Sequence, residues 1–284
     1  MTPEKRLRTQ KIGFALLTAL AGLTVLPIIL VIVYILAQGL PAISWEFLTA
    51  FPKDGMRAGG IWPAIVGTFY LTLGTAAFSV PLGLGAAIYL SEYAPENRWT
   101  RLIRLAIINL SGIPSVVYGL FGLGLFVLFL KFGTSILAAC LTLSIMTLPV
   151  IISTSEEALR SVPQSFRVVS ISLGATRWQT IQKIILKEAL PGILTGVILG
   201  LERAAGETAP ILFTGAAFFL PRLPGSMFDA TMALPYHLFV ISTQVPGMSF
   251  QIQYGTALVL VTFVLAMNLT ANYVRSRARA KRQW

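Results

Sequence analysis

Residues 155–215 read SEEALRSVPQSFRVVSISLGATRWQTIQKIILKEALPGILTGVILGLERAAGETAPILFTG, the longest polar interval of an otherwise apolar chain followed by an apolar stretch. The first half is amphipathic and basic. The second half is long and apolar enough to cross a membrane, yet it carries Glu202, Arg203 and Glu207. The rest of the chain explains this contrast. Its 284 residues are 55% hydrophobic and 12% charged, with a mean hydropathy of +0.77, whereas soluble domains carry roughly 25% charged residues. The apolar residues fall in blocks of about 20, the length that crosses a hydrocarbon core about 30 Å thick. The expected fold is all-α and polytopic, with about six transmembrane helices and one polar loop that stays outside the bilayer.

The spans are expected near 13–37, 63–90, 104–130, 135–154, 189–216 and 252–274. The 22 Lys and Arg residues test this layout. Lys53, Arg57, Lys131 and Arg222 fall on one side, Arg203 alone lies within a span, and the remaining 17 fall on the other side. Bases accumulate on the cytoplasmic side of membrane proteins. The chain is therefore expected to be a multi-pass membrane protein with both termini in the cytoplasm. The net charge of +11 follows from these flanking bases and implies no nucleic-acid partner. Met1–Lys11 is basic, but the apolar block Gly13–Ala37 is too long for the core of a signal peptide and reads as a retained first span. A single cysteine, Cys140, excludes an intrachain disulfide.

No catalytic constellation is visible. There is no Walker A sequence and no nucleophile elbow, and one His with one Cys leaves no common triad. No enzyme, metal site or bound cofactor is expected, and His237 reads as structural. The segment 91–103, SEYAPENRWTRLI, reads as a short turn with solvated charges. The aromatics Trp45, Phe47, Phe51 and Trp62 of the loop 38–62 read as an interfacial belt or as a contact for an external partner. The Pro- and Gly-rich segment 217–251 reads as a re-entrant lid or as a surface loop.

Three stretches carry chemistry. In 109–122, NLSGIPSVVYGLFG, the small residues Ser111, Ser115, Gly119 and Gly122 share one helical face, while Pro114, after Gly112, can kink the span. Simple packing and a broken helix lining a pathway both remain open. In 156–188, Pro163 suits a first helical turn, Gly174 a break, and Thr176-Arg-Trp-Gln179 a capping box opening a second helix. Ile181, Ile184 and Ile185 mark one face of that helix, Arg177, Lys183 and Lys187 the other, and Leu190-Pro191-Gly192 a hinge into the fifth span. Such a helix pair lies on a membrane surface or docks in a groove of a cytoplasmic partner. In the fifth span, Arg203 and Glu207 stand i,i+4 and can pair. Charges at this depth persist when paired or lining a cavity. The pair is either structural or a site for an oxyanion, whose oxygens a guanidinium fork matches. In the second case Glu207 weakens the hold of Arg203 so that the ion can leave.

The polar loop resembles the cytoplasmic "EAA" loop of ABC importer permeases: Glu-Ala-Ala, three residues, Gly, nine residues, Ile-x-Leu-Pro. Aligned on Gly174, Ile184 and Leu186 match, while Val168-Val169-Ser170 stands in place of Glu-Ala-Ala and Lys187 in place of Pro. Gly60-Ile-Trp-Pro-Ala-Ile-Val-Gly-Thr68, Ser111–Gly122, Gly174-Ala-Thr-Arg-Trp-Gln-Thr180 and Arg203-Ala-Ala-Gly-Glu-Thr-Ala-Pro210 resemble permeases of the phosphate-specific (Pst) importers, the last being similar to their A-type subunit. The resemblance implies a type I importer permease core over 63–284, with a coupling loop at 156–188, preceded by an N-terminal segment, first helix and outer loop over 1–62. It implies inorganic phosphate as substrate, a sister permease subunit forming a heterodimer, a cytoplasmic ATPase dimer that binds ATP-Mg, and an external phosphate-binding protein. It places Arg203, Glu207, Ser115 and Thr208 on the substrate path and Arg167, Ser170, Gly174, Ala175 and Thr176 in coupling to the ATPase. Pro114, Gly112, Gly119 and Pro191 are assigned to gating and packing. A permease for another oxyanion, such as sulfate or molybdate, or a non-conducting signalling subunit, is the competing expectation.

Overall fold

A computed structural model describes residues 3–280. Lys281 and Arg282, two of the C-terminal bases, lie outside the described residues. In lipid every backbone N–H and C=O must find its partner within the protein, so apolar blocks become helices. They are α1 (Pro3–Gly39), α3 (Trp62–Ile88), α6 (Ile136–Arg160), α9 (Leu186–Gly206) and α12 (Phe250–Ala280). Shorter helices are α2 (Trp45–Thr49), α4 (Arg98–Ser111), α5 (Ser115–Gly122), α7 (Gln164–Ser172), α8 (Arg177–Thr180), α10 (Ala209–Thr214) and α11 (Leu234–Thr243). Residues 52–59 form a two-stranded hairpin between α2 and α3. Five single helical stretches are long and apolar enough to cross a membrane, and the bent pair α4–α5 supplies the sixth candidate.

The third span, expected over 104–130, takes the broken form left open for Pro114, and its first half begins at Arg98. Its two halves bend by 102° at Gly112–Pro114. A proline in a helix removes one N–H and collides with the carbonyl four residues back, here that of Leu110. That carbonyl instead accepts from the Tyr118 hydroxyl at 2.7 Å. Ser111 therefore belongs to a different helix from Ser115, Gly119 and Gly122, and the single small-residue face dissolves. The fifth span, expected over 189–216, ends at Gly206, and α10 starts after a break at Glu207–Thr208. Pro210 stands four residues after Gly206 and acts there by the same two effects. The expected hinge at Leu190-Pro191-Gly192 is absent: Arg177 to Gly206 runs as one helical stretch, with a wide π-type turn at Ile181–Ile185. The expected loop 156–188 contracts to 161–176. Glu156 can end a spanning helix because Arg104 and Arg160 meet it at 2.7 and 3.1 Å.

The centre of the bundle is α6, packed on α3 and α9. Gly192, Gly196 and Gly200 repeat every four residues along α9 and admit Ala158, Thr154 and Ile151 of α6: a Cβ at these glycines would lie 2.5, 2.7 and 3.0 Å from those side chains. Close approach through small residues is how membrane helices gain packing when lipid is as apolar as their side chains. Gly196→Leu is expected to cost roughly 1–3 kcal/mol of overpacking or more, read as a lower thermal unfolding midpoint of the detergent-solubilised protein. An unchanged midpoint would mean that the α6–α9 contact is looser than described.

At the end away from the basic loop, 217–251 divides: residues 217–230 run as an irregular, partly to fully exposed segment, as expected of a surface loop, whereas Leu234–Thr243 folds as α11, whose Leu234, Val240 and Ile241 are buried. The Leu234 N–H donates to the Thr68 hydroxyl of α3 at 2.8 Å. His237 is 2% exposed, and burial pushes its imidazole down to about 4, so it is neutral at physiological pH. Phe47, expected among interfacial aromatics, is core, whereas Trp45 is exposed.

Candidate functional site

The intramembrane charges gather at the α9–α10 break. Arg203 lies in the last turn of α9, and its Nε stands 3.4 Å from Glu207 Oε1, with the two side chains 33% and 17% exposed. The expected pair forms, but not on one helix face. Glu207 has left the helix, with extended φ −76° and ψ 136°. Its carboxylate is aimed back at Arg203 by the break. Thr208 opens α10 beside it, half-buried. Glu202, one residue earlier, has a buried Oε1 with no hydrogen-bond partner among the described residues.

The second break meets the first. Gly119 of α5 approaches α10 so closely that a Cβ there would stand 3.0 Å from the Ala209 carbonyl and 2.8 Å from the Phe213 ring. Tyr118, whose hydroxyl spans the α4–α5 break, lies within electrostatic reach of Arg203. Ser115 is the first residue of α5 and half-buried. Two interrupted helices thus bring a half-exposed guanidinium, a carboxylate and loosened backbone to one place. Irregular backbone at membrane depth is tolerated where protein buries it or water-filled space adjoins it. Tyr118 was not singled out in the sequence, although a tyrosine four residues after a helix-breaking proline is the available signal.

The second region is the loop between α6 and α9. Gly174 has φ +83°, the left-handed region that Gly occupies at no steric cost. Thr176 accepts from the Gln179 N–H at 3.2 Å, and Gln179 Oε1 accepts from the Thr176 N–H at 2.9 Å, so the expected capping box is complete. Ala175 and Thr176 therefore sit in a fixed turn. Arg167 and Ser170, assigned to an outside partner, turn inward: Ser170 is buried against the Thr180 hydroxyl at 2.8 Å, and Arg167 is 14% exposed and paired with Glu92 at 2.6 Å. The outward face belongs to Val168, Val169, Ile171, Leu173 and Trp178. Beside it runs an apolar groove of about 380 Å³ lined by Phe166, Leu173, Ala175 and Ile184. The charges expected to be solvated in 91–103 are so at Glu96, Arg98 and Arg101, whereas Glu92 is 7% exposed.

A long bundle of broken helices with a helix–Gly–helix loop invites comparison with transporters. The model of the family described as the binding-protein-dependent transport system inner membrane component matches residues 79–280. The chain belongs to this family. As a permease of this kind it is a membrane subunit and not an enzyme, and it works with a separate ATPase and a substrate-binding protein. Relatives of the permease include the probable ABC transporter permease protein YqgI of Bacillus subtilis, 35% identical over 93% of this chain and 96% of that one. The phosphate transport system permease protein PstA 1 of Mycobacterium tuberculosis is 33% identical over 91% and 84% of the two chains. The probable phosphate transport system permease protein PstA of Methanocaldococcus jannaschii is 33% identical over 96% and 97%. Among solved structures, a chain of a bacterial ABC transporter that imports alginate superposes with a TM-score of 0.67 at 16% identity over 96% of this chain and 98% of that one. A chain of the MetNI methionine ABC transporter gives 0.61 at 18% identity, covering 77% of this permease and 97% of that chain. These two likenesses establish the fold.

Proposed function

We propose that this permease carries inorganic phosphate inward across the plasma membrane, driven by ATP hydrolysis on partner subunits. The observation that carries the reading is Arg203: a guanidinium in the last turn of α9, half-exposed at a helix break and only loosely held by Glu207 at 3.4 Å. Relatives named as phosphate permeases, aligned over most of both chains, support the choice of ion. The guanidinium stays charged at any physiological pH and presents planar donors to phosphate oxygens. Glu207, on the same side, keeps a multiply charged anion from being trapped. Ser115 and Thr208, at the two breaks, supply hydroxyls along the path.

The partners follow from the same reading: a sister permease with a similar Arg–Glu pair, an ATPase dimer that binds ATP-Mg, and an external phosphate-binding protein. The ATPases sit on the side of the loop 161–176, which is the cytoplasmic side, as are both termini; the bias of bases supports this orientation. The exposed apolar face around Leu173 and Trp178 enters a cleft of the ATPase. Reconstituted with these partners in liposomes, the permease is expected to import labelled phosphate with little inhibition by a tenfold excess of sulfate or molybdate. Faster import of sulfate or molybdate would assign it to another oxyanion. ATP hydrolysis without import of any of the three would make it a signalling subunit.

A further inference from the structure

Glu92 stands at the cytoplasmic end of α3, in a wide turn over Tyr89–Tyr93 that follows the helix. Its carboxylate is buried and gripped at two points by Arg167 of α7: Nη2 donates to Oε1 at 2.6 Å and Nε to Oε2 at 3.2 Å. The same guanidinium donates to the carbonyls of Val162 at 2.8 Å and Leu159 at 3.0 Å, at the end of α6. The backbone carbonyl of Glu92 accepts from Arg177, the first residue of α8, and the Arg177 guanidinium lies 5.0 Å from the centroid of the Tyr93 ring. Helices α7 and α8, on either side of the Gly174 turn, are thus both fastened to Glu92, in the turn that ends α3. A second bridge continues the chain: Arg104 of α4 donates to Glu156 of α6 at 2.7 Å and to the Leu90 carbonyl, in the same turn as Glu92, at 3.0 Å.

A buried ion pair is weak evidence of stability, because desolvation of both charges opposes their attraction. A two-point Arg–carboxylate contact does fix relative orientation. We propose that Glu92 is a positioning residue for transport: through Arg167 and Arg177 it transmits displacement of the coupling loop to α3, alongside the covalent route into α9. Arg167 then acts inward, as the link to α3, and not as a ligand of the ATPase.

The inference rests on the importer reading, and one experiment separates the two. In the complete reconstituted complex, ions imported per ATP hydrolysed are measured for wild type, Glu92→Gln, Arg167→Gln and the double variant. Co-purification of the ATPase is measured alongside. Glu92→Gln is expected to retain the ATPase and to hydrolyse ATP at a rate within about twofold of wild type, while the ratio falls at least fivefold. Because Glu92 acts through Arg167, the double variant is expected to be no worse than the poorer single one. Should Glu92→Gln fail to assemble, Glu92→Asp keeps the charge and is expected to give a smaller loss of the same ratio. A wild-type ratio in the assembled Glu92 variants overturns the proposal, as do losses that multiply in the double variant. If wild type prefers an oxyanion other than phosphate, the substrate reading falls, and the ratio is read with that ion.

Discussion

Arg203→Gln is expected to lower phosphate uptake by roughly 10- to 100-fold in a complex that still assembles. Hydrogen bonds to a charged group contribute about 1.5–3 kcal/mol, which is about that factor, and glutamine keeps two donors but loses the charge and the fork. The fold should tolerate the change, since the Arg203 side chain is 33% exposed and its contact with Glu207 is 3.4 Å. The loss goes further than a missing attraction, because the Glu207 carboxylate then faces an incoming anion without its counter-ion. Uptake in proteoliposomes, read beside co-purification of the partner subunits, decides the matter. Unchanged uptake by an assembled complex would remove Arg203 from the path.

Gly174→Val is expected to break communication between the loop and the ATPase. The space around Gly174 is open, so the effect is on the backbone. At φ +83° an L residue costs about 1–2 kcal/mol, and a β-branched one more. The turn is expected to relax to negative φ, which carries Leu173 and Thr176 out of register and opens the capping box. Basal ATP hydrolysis would then no longer respond to transport, or the ATPase would dissociate. Gly174→Asn, which tolerates left-handed backbone, is expected to retain most coupling. Coupled hydrolysis at the wild-type level in Gly174→Val would refute the role of this turn.

Much of this was legible in the chain. Spans, loop, capping box and the Arg203–Glu207 contact follow from hydropathy and short-range spacing. What was misjudged depended on proline and on long-range pairs. A kink or break at Pro114 was legible, but the one before Pro210 was not: there the fifth span ends and leaves polar backbone to be satisfied elsewhere. The i,i+4 argument for Glu207 reached the right contact on a wrong premise, since the residue is not helical. Glu92 looked solvated because its partner Arg167 lies 75 residues away, beyond any local pattern. The four-residue repeat of Gly192, Gly196 and Gly200 is also a local pattern, legible in the chain just before the charges of the same helix.

The unbroken helical stretch from Arg177 to Gly206 has a mechanical consequence. From Leu186 to Arg203 it extends about 26 Å at 1.5 Å per residue. It is a lever arm, with the wide turn at Ile181–Ile185 near its driven end and the guanidinium at its tip. Pivoting by about 5° over that length swings the tip by roughly 2 Å. That is enough to turn a hydrogen bond into a gap, so on the proposed reading a small rocking of the loop would alternate Arg203 between holding and releasing the anion.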